Sequence, residues 1–282
     1  MLALGYDMYP SRVVRLASRG SGEKGSDVIL QTVRSSIAQL PKTRDTYHAA
    51  QRLGARLMPS MAKVLWGLPE IDIDALTDGA GSLSAPLLLD DCCLPPYHSN
   101  GPTTHNDIVP LVQIAAYRKP SIILELGTAH GNTIANLARI CDARLFTVNA
   151  LPEQMSGAVT TFALRQEDIG RVYRTYGYES RVTQVYANTL VMDLRSYMAP
   201  ETIDLAVIDA CHDTSYVIND FLKVLPYVRD GGILLLHDTH PSMKEHLVGS
   251  YMACMTLRRS GYDIKHLCNT WWGVYVKNKT RA

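Results

Sequence analysis

The sequence predicts an α/β fold in which a doubly wound, mostly parallel sheet follows an N-terminal helical extension. Two observations support this prediction. From about residue 106 onward, short β-rich apolar runs alternate with amphipathic helical runs, whereas residues 1–68 show only helical periodicity. Such alternation is typical of a parallel sheet covered by helices on both faces, where ligands bind outside the carboxyl ends of the strands.

The first part of the chain, residues 1–105, is predicted to be a helical extension that ends in a lid or linker loop. SDVILQTVRSSIAQL spaces its apolar residues three and four apart, with Ser26 as a candidate N-cap. Residues 69–105 lose this periodicity and are rich in Gly, Pro, Ser and Asp, which indicates a long connection. We expect the extension to cover the functional site, to form a dimer, or both.

The second part, residues 106–282, is predicted to be one domain of alternating elements. They are helix NDIVPLVQIAAYR, strand SIILELG, helix NTIANLARIC, strand RLFTVNA, a helical stretch around residues 160–176, strand RVTQVYA, helix or loop LVMDLRSYM, strand IDLAVID, helix SYVINDFLKVLPYV, a turn at RDGG, strand ILLLHD and helix SMKEHLVGSYMACMTLRRSG. YDIKHLCN and WWGVYVKN are predicted to pair as an antiparallel hairpin at the sheet edge.

Composition excludes several classes of protein. Hydrophobic residues make up 46% of the chain and charged residues 20%, as in ordinary globular proteins. A net charge of +1 gives no reason to expect nucleic acid as a partner. No apolar run approaches the roughly 18 residues of a membrane span, and no signal peptide is visible. Six cysteines without a CxxC pair suit the reducing cytoplasm.

A glycine turn, LELGTAHGN at residues 124–132, connects the first predicted strand of the domain to the following helix. Gly127 and Gly131 permit a tight turn and the close approach of a ligand. A turn required only for packing remains an alternative. The pattern is not the dinucleotide-binding GxGxxG, because Ala129 replaces the second glycine.

ELGTAHGNT resembles motif I of the class I S-adenosylmethionine (SAM)-dependent methyltransferases, and DGGILLLHD is similar to a late strand of that Rossmann-like fold. The resemblance covers roughly residues 105–277. It implies that SAM is bordered by Glu125, Gly127, Thr128, Ala129, Gly131 and Asp209. By the same resemblance Glu125 faces the amino group of SAM.

The chain departs from that family at the end of the second strand of the domain. Family members usually have Asp or Glu there to accept hydrogen bonds from the ribose, whereas FTVNALPEQ has Asn149. An amide oxygen still accepts, although without the strength of a charge-assisted bond. Glu153 is a candidate for compensation. Asn188, after the third strand, is the candidate contact to the adenine.

Two strand ends of the domain carry polar clusters, Asp209-Ala-Cys-His212 and His237-Asp238. Carboxylates alone suit Mg²⁺, whereas an imidazole among them favours Mn²⁺, Fe²⁺ or Zn²⁺. The spacing resembles metal-dependent small-molecule O-methyltransferases of the catechol type and of the bacterial sugar and macrolide type. Asp209 and Asp238 match their metal ligands, and His237 stands where that family has a carboxylate. The resemblance therefore implies Mg²⁺ or Mn²⁺ at these three residues.

His212 is the candidate general base, three residues after Asp209. A hydroxyl acceptor is a poor nucleophile until it loses its proton, and a histidine has an ordinary pKa near 6.5, which suits that task. In the resembling sugar O-methyltransferases a histidine stands at this position. The alternative is a histidine that merely caps the next helix, although Asp213 and Thr214 are better caps.

Several further side chains are weaker candidates, since isolated loop histidines are usually solvated. His98, His105, His240 and Tyr97 could line the mouth of the site, and Trp271 and Trp272 are expected to seal the core or the sheet edge.

The sequence thus predicts SAM-dependent O-methylation of a small secondary metabolite such as a glycoside, a polyketide or a phenol. The alternatives are metal-independent methyl transfer by His212, a nicotinamide-dependent oxidoreductase and a non-catalytic SAM-binding scaffold. We expect a small-molecule acceptor, no nucleic-acid or membrane partner, and a homodimer formed by the N-terminal helices.

Overall fold

The structure is a computed structural model that describes residues 68–79, 104–155, 163–239 and 248–278. The predicted helices before residue 68 and most of the predicted connection lie outside these ranges, so the extension and the boundary at residue 105 stay predictions. Among the helices that are described, we find none with the length and apolar character needed to cross a membrane.

Eight strands in the described ranges form one sheet. They are β1 (Glu70–Ile71), β2 (Ile122–Leu126), β3 (Arg144–Asn149), β4 (Val182–Tyr186), β5 (Ile203–Ile208), β6 (Val228–Leu236), β7 (Lys265–Leu267) and β8 (Gly273–Val276). Their order across the sheet is β1-β7-β8-β6-β5-β2-β3-β4. β8 is antiparallel to both neighbours, and the other pairs are parallel. The predicted mostly parallel α/β sheet is confirmed.

Helices cover the sheet on both faces. They are α1 (Asp74–Thr77), α2 (Thr104–Arg118), α3 (Asn132–Ile140), α4 (Arg171–Thr175), α5 (Thr214–Val224) and α6 (Val248–Arg259), with 3₁₀ turns at Pro152–Gln154, Leu194–Ser196 and Leu225–Tyr227. Leu124 of β2 belongs to the same core cluster as Phe221 of α5. Its neighbour Ile123 belongs to a second cluster with Leu137 of α3. Because successive side chains of a strand point to opposite faces, the two clusters lie on opposite sides of the sheet.

The C-terminal hairpin of β7 and β8 is confirmed as antiparallel. It is not the outermost part of the sheet, because β1 pairs with β7 in parallel beyond it. The sequence missed β1 because a strand of two residues shows no periodicity. The position of β1 in the sheet is determined by its pairing with the outer edge of β7.

Two other elements differ from the prediction. RDGG is not a turn before the strand but lies within β6, where residues 229–232 bulge opposite Asp204 alone. Gly231 has a φ of 74°, which permits this irregular backbone. Within the described part of the predicted 160–176 helix, only α4 is α-helical, and it begins after Gly170, whose φ is 73°.

Candidate active site

The predicted cofactor loop, residues 127–131, connects β2 to α3 at the carboxyl end of the sheet. The N–H groups of Gly127 and Thr128 donate to the carbonyl of Val148 at 2.8 and 3.2 Å. Gly127 has a φ of 105°, and a Cβ there would lie 2.0 Å from the carbonyl oxygen of Asp209. Gly127 is therefore required where the cofactor loop packs against the end of β5, so the packing role left open by the sequence is real.

The outer side of the cofactor loop is held by the residues that begin α4. The N–H of Gly170 donates to the carbonyl of Ala129 at 2.9 Å, and that of Val172 donates to the carbonyl of His130 at 2.8 Å. A Cβ on Gly131 would lie 3.0 Å from the Cα of Gly170. The cofactor loop is thus fixed by backbone contacts on both sides.

Glu125 lies beneath the cofactor loop near the end of β2, and only 1% of it is exposed. Its Oε2 accepts a hydrogen bond from the hydroxyl of Thr147, which is also 2.7 Å from the hydroxyl of Thr128. Burial raises the pKa of Glu125 to about 8, the Thr147 hydrogen bond opposes this, and the charge of Asp209 adds to it. Glu125 and Thr128, two of the residues predicted to border the cofactor, thus lie together.

Asn149, at the end of β3, is engaged by the protein backbone. Its Oδ1 accepts from the N–H of Ala129 at 3.0 Å, and its Nδ2 donates to the carbonyl of Ala150 at 2.8 Å. Ala129 has a φ of 43°, an unusual value for a residue with a Cβ, and the bond from Asn149 helps to hold it. A carboxamide still offers one further N–H and one further lone pair to a ribose.

Asn188, after β4, is engaged in the same way. Its Nδ2 donates to the carbonyl of Gln154 at 2.8 Å, and its Oδ1 accepts from the N–H of Leu190 at 2.9 Å. Asn188 therefore joins the loops that follow β3 and β4. Glu153, the candidate for compensation at the ribose, is exposed in the 3₁₀ turn of the loop that follows β3.

The two predicted polar strand ends meet at the carboxyl ends of β5 and β6, which are paired in parallel. Nε2 of His212 lies 3.2 Å from Oδ1 of Asp209 and 3.0 Å from Oδ2 of Asp238. Nδ1 of His237 lies 3.0 Å from Oδ1 of Asp209 and 3.3 Å from Oδ1 of Asp238. The side chain of Asp209 is 28% exposed and that of Asp238 only 6%. Asp209 is therefore the carboxylate that a ligand can reach.

Charge determines the protonation of these four residues, which we call the Asp–His cluster. Burial alone would raise the pKa of Asp209 and Asp238, but the charge of His237 and contacts with His212 outweigh it, so both pKa values lie below the usual range. Burial alone would lower the pKa of His212, but the charge of Asp238 and hydrogen bonds to both carboxylates raise it to about 10. In this arrangement His212 holds a proton at neutral pH.

The donor atoms of the Asp–His cluster suit a transition metal. Asp209, His212 and His237 each offer one ligand atom, and the three atoms lie within 4.8 Å of one another. Donors about 2.1 Å from one ion and at right angles lie about 3 Å apart. The nitrogens of His212 and His237 lie at 3.2 and 3.0 Å from Oδ1 of Asp209, close to that spacing. Two nitrogens and one oxygen do not fit Mg²⁺, which prefers oxygen ligands, but they fit Mn²⁺, Fe²⁺ or Zn²⁺.

The two tryptophans border the Asp–His cluster. Trp271 is 9% exposed and Trp272 is 2% exposed. The ring of His237 lies 4.5 Å from that of Trp272 and is stacked at 6.4 Å on that of Trp271, measured between centroids. The tryptophans are buried, as expected, and they also fix the imidazole of His237.

The helix after β5 begins at Thr214, and Asp213 is its N-cap residue. His212 thus precedes the cap, and its imidazole is directed to the two carboxylates, not to the helix end. Tyr97, His98 and His240 lie outside the described residues, and of His105 only the backbone in the first turn of α2 is described. Those four stay predictions.

Comparison with protein families gives a match within the domain. Residues 124–239 match the model of a methyltransferase domain. The match includes the cofactor loop and ends just after Asp238, so it contains both polar strand ends. This confirms the predicted resemblance to SAM-dependent methyltransferases and the prediction that the chain is an enzyme of methyl transfer.

Solved structures share a general likeness with this methyltransferase. The O-methyltransferase TomG from Streptomyces achromogenes, involved in tomaymycin synthesis, is 19% identical over 60% of this chain and 78% of its own, with a TM-score of 0.43. A putative caffeoyl-CoA O-methyltransferase from Staphylococcus aureus is 14% identical over 88% of this chain and 100% of its own, with a TM-score of 0.47. At these scores the likenesses decide neither substrate nor mechanism. No curated protein matches the sequence.

Proposed function

We propose that this methyltransferase transfers the methyl group of SAM to a hydroxyl group of a small secondary metabolite, such as a glycoside, a polyketide or a phenol. One observation supports the proposal above all. The imidazole of His212 lies within 3.2 Å of two carboxylates, and one of them, Asp209, belongs to the chain segment on which the cofactor loop packs. A side chain that can accept or donate a proton therefore lies next to the loop proposed to bind the methyl donor.

The residues at the cofactor loop fit SAM by their chemistry. The carboxyl group of Glu125 can accept from an ammonium group, and Asn149 and Asn188 each retain hydrogen-bonding capacity for hydroxyl and ring-nitrogen atoms. SAM, when bound, supplies a methyl group activated by its sulfonium centre. The chain must then bind the acceptor next to it, since positioning supplies much of the rate of such a displacement.

His212 is the group proposed to take the proton of the acceptor hydroxyl. It must first be neutral, whereas the two carboxylates raise its pKa to about 10. Positive charge close to Asp209 competes with the imidazole for those carboxylates, so it lowers the pKa of His212 towards the range of an effective base. Asp238, almost fully buried, would keep the ring oriented while the proton moves.

A divalent metal is proposed at Asp209, His237 and Asp238, and the imidazole favours Mn²⁺ over Mg²⁺. Such an ion would lower the pKa of a nearby acceptor hydroxyl. A second arrangement uses Asp209, His212 and His237, whose ligand atoms all lie within 4.8 Å of one another. In that arrangement His212 cannot be the base, so the two are mutually exclusive.

The test combines turnover with metal binding. The protein is incubated with SAM and a panel of hydroxylated metabolites, with Mn²⁺, with Mg²⁺ or with a chelator, and methyl addition is detected by mass. His212→Ala should lower turnover by roughly 10²–10⁴-fold but still retain Mn²⁺ in equilibrium dialysis. If His212→Ala loses Mn²⁺, the second arrangement is correct. Full turnover in chelator would support metal-independent transfer.

The rival functions give different outcomes in the same experiment. Methyl addition that persists unchanged in His212→Ala would remove His212 from the mechanism. SAM binding without any methyl addition would favour the non-catalytic scaffold. The match to a methyltransferase domain argues against a nicotinamide-dependent oxidoreductase.

The remaining expectations concern the state of the protein in the cell. We propose a cytoplasmic homodimer formed by the N-terminal helices, without a nucleic-acid or membrane partner. Light scattering of the full chain and of a chain lacking residues 1–67 would test this, and a monomeric full chain would contradict it.

A further inference from the structure

A row of polar side chains crosses the sheet beneath the cofactor loop. Glu125 of β2 is the register partner of Thr147 of β3, which is the partner of Gln184 of β4. Two residues earlier, the row on the same face is apolar and consists of Ile123, Leu145 and Val182. Burying polar groups in an apolar face is costly unless they are hydrogen-bonded. The row therefore needs an explanation in its contacts.

The row is part of a continuous hydrogen-bonded chain. The hydroxyl of Tyr173 donates to Oε1 of Gln184 at 3.3 Å, and Nε2 of Gln184 donates to the hydroxyl of Thr128 at 3.0 Å. The hydroxyls of Thr128 and Thr147 are 2.7 Å apart, and that of Thr147 donates to Oε2 of Glu125. Tyr173, Thr128, Thr147 and Glu125 are each at most 3% exposed.

All the hydrogen bonds in this hydrogen-bonded chain are donated in the same direction. An amide Nε2 can only donate, so the hydroxyl of Thr128 accepts from Gln184. The hydroxyl of Thr147 donates its one hydrogen to Glu125, so Thr128 is the donor in the bond between the two threonines. Glu125 is the acceptor at the end. Each residue thus donates to the next one, and the last hydrogen bond is accepted by one carboxyl oxygen of Glu125. Hydrogen bonds in such a series strengthen one another cooperatively.

We propose that Thr147 and Gln184 are positioning residues that orient the carboxyl group of Glu125 towards the amino-acid end of the bound methyl donor. One oxygen of Glu125 is fixed by Thr147, which leaves the other to accept from the ammonium group. Gln184 holds Thr128, and with it the first turn of the cofactor loop. The inference rests on the proposed use of SAM and adds two residues outside motif I to its binding.

The test compares two ligands, of which only SAM carries the amino-acid group on which Glu125 is expected to act. 5′-Methylthioadenosine has the same adenosine, but it lacks the amino-acid group and has a neutral thioether in place of the sulfonium. Thr147→Val removes the hydroxyl at nearly constant volume, and Thr147→Ser restores it. Thr183→Val is the matched control, because Thr183 is the exposed neighbour of Gln184 on β4. Dissociation constants are measured by calorimetry.

We expect Thr147→Val to bind SAM about tenfold more weakly, because the ammonium group of bound SAM favours the ionised form of Glu125 and a hydrogen bond to a charged group is worth at least that factor. Its affinity for 5′-methylthioadenosine should change by less than about twofold, and Thr147→Ser should resemble the wild type. Thr183→Val should bind both ligands as the wild type does. Gln184→Met, at a half-buried position, should show the same selective loss to a smaller extent and serves if Thr147→Val does not fold.

Several results would overturn the inference. If Thr147→Val and Gln184→Met weaken both ligands equally, their role is structural and not directed at the amino-acid group. If neither ligand is affected, the hydrogen-bonded chain has no part in binding. A wild-type protein that binds neither ligand would instead refute the proposed cofactor, before any variant is compared.

Discussion

Glu125 is a carboxyl group inside the sheet, and its replacement by glutamine should change how the stability of the protein depends on pH. Burial is the main influence that raises its pKa from 4.5 to about 8 in the folded protein, while the unfolded chain ionises near the ordinary value. Between these two pH values the folded protein binds a proton that the unfolded chain has released. The stabilisation of the folded protein by this proton is therefore complete below about pH 4.5 and is lost as pH rises towards 8.

The size of the effect follows from the same two pKa values. One proton changes the free energy of unfolding by about 1.4 kcal/mol for each pH unit. From pH 4.5 to 8 the wild type should lose at most about 5 kcal/mol relative to Glu125→Gln. The glutamine keeps an oxygen that can accept from Thr147 but has no proton to release. A difference of this size would be large beside a total stability of roughly 5–15 kcal/mol.

Urea unfolding at intervals from pH 5 to pH 9 measures the difference directly. Glu125→Gln should gain on the wild type steadily up to about pH 8 and run parallel to it above. Glu153→Gln, which removes an exposed carboxyl group, is the control and should follow the wild type. If Glu125→Gln and the wild type run parallel between pH 5 and 8, the carboxyl group is not protonated in the folded protein and the argument from burial is wrong.

Substitutions at four other residues test separate parts of the site and of the fold. His212→Ala should lower kcat by roughly 10²–10⁴-fold while changing the dissociation constant of SAM by less than about twofold, and a loss of SAM affinity instead would make it a binding residue. Asp209→Asn should lose Mn²⁺ in equilibrium dialysis, because it removes the more accessible carboxylate of the Asp–His cluster. Retained Mn²⁺ would exclude Asp209 as a ligand. Asn149→Ala should weaken SAM binding severalfold, because it releases the cofactor loop. Asn149→Asp keeps an oxygen that accepts from Ala129 and should bind SAM as the wild type does; calorimetry measures both dissociation constants. Lys223→Met should lower the free energy of unfolding by about 1–3 kcal/mol, because the ammonium group donates to three backbone carbonyls within residues 189–192, and an unchanged urea midpoint would show that those bonds add nothing.

The sequence predicted the parts of the fold and site that depend on regular patterns. Alternating periodicity located the paired strands of the domain, and polar residues at two successive strand ends predicted that Asp209 and His212 meet His237 and Asp238. The carboxyl ends of neighbouring parallel strands necessarily lie at one edge of the sheet. Those side chains therefore had to come together once the strand order was right.

The sequence could not predict contacts that depend on register. Thr147 lies within the apolar run of β3, and Gln184 follows Thr183 directly in β4, so neither strand has a polar–apolar alternation that assigns these side chains to a face. Only the pairing of β2, β3 and β4 shows that they lie under the cofactor loop. The engagement of Asn149 by Ala129 was equally hidden, because it depends on the φ of 43° that Ala129 adopts.

The charge of the site links its two departures from the resembling families. Asn149 and His237 each stand where those families have a carboxylate, so the site holds two negative charges fewer than expected near a cationic methyl donor and a cation. Each remaining carboxylate must therefore contribute more to binding. Glu125 is one of them once the cationic methyl donor favours its ionised form, and the side chains of four residues are arranged to make it an acceptor: Tyr173, Gln184, Thr128 and Thr147. At the proposed metal site the same reasoning favours an ion that binds nitrogen well, so that turnover should be faster with Mn²⁺ than with Mg²⁺ at equal concentration. Equal rates with the two ions would show that His237 is not a ligand, and the departure at that position would then concern only the packing of its ring on Trp272.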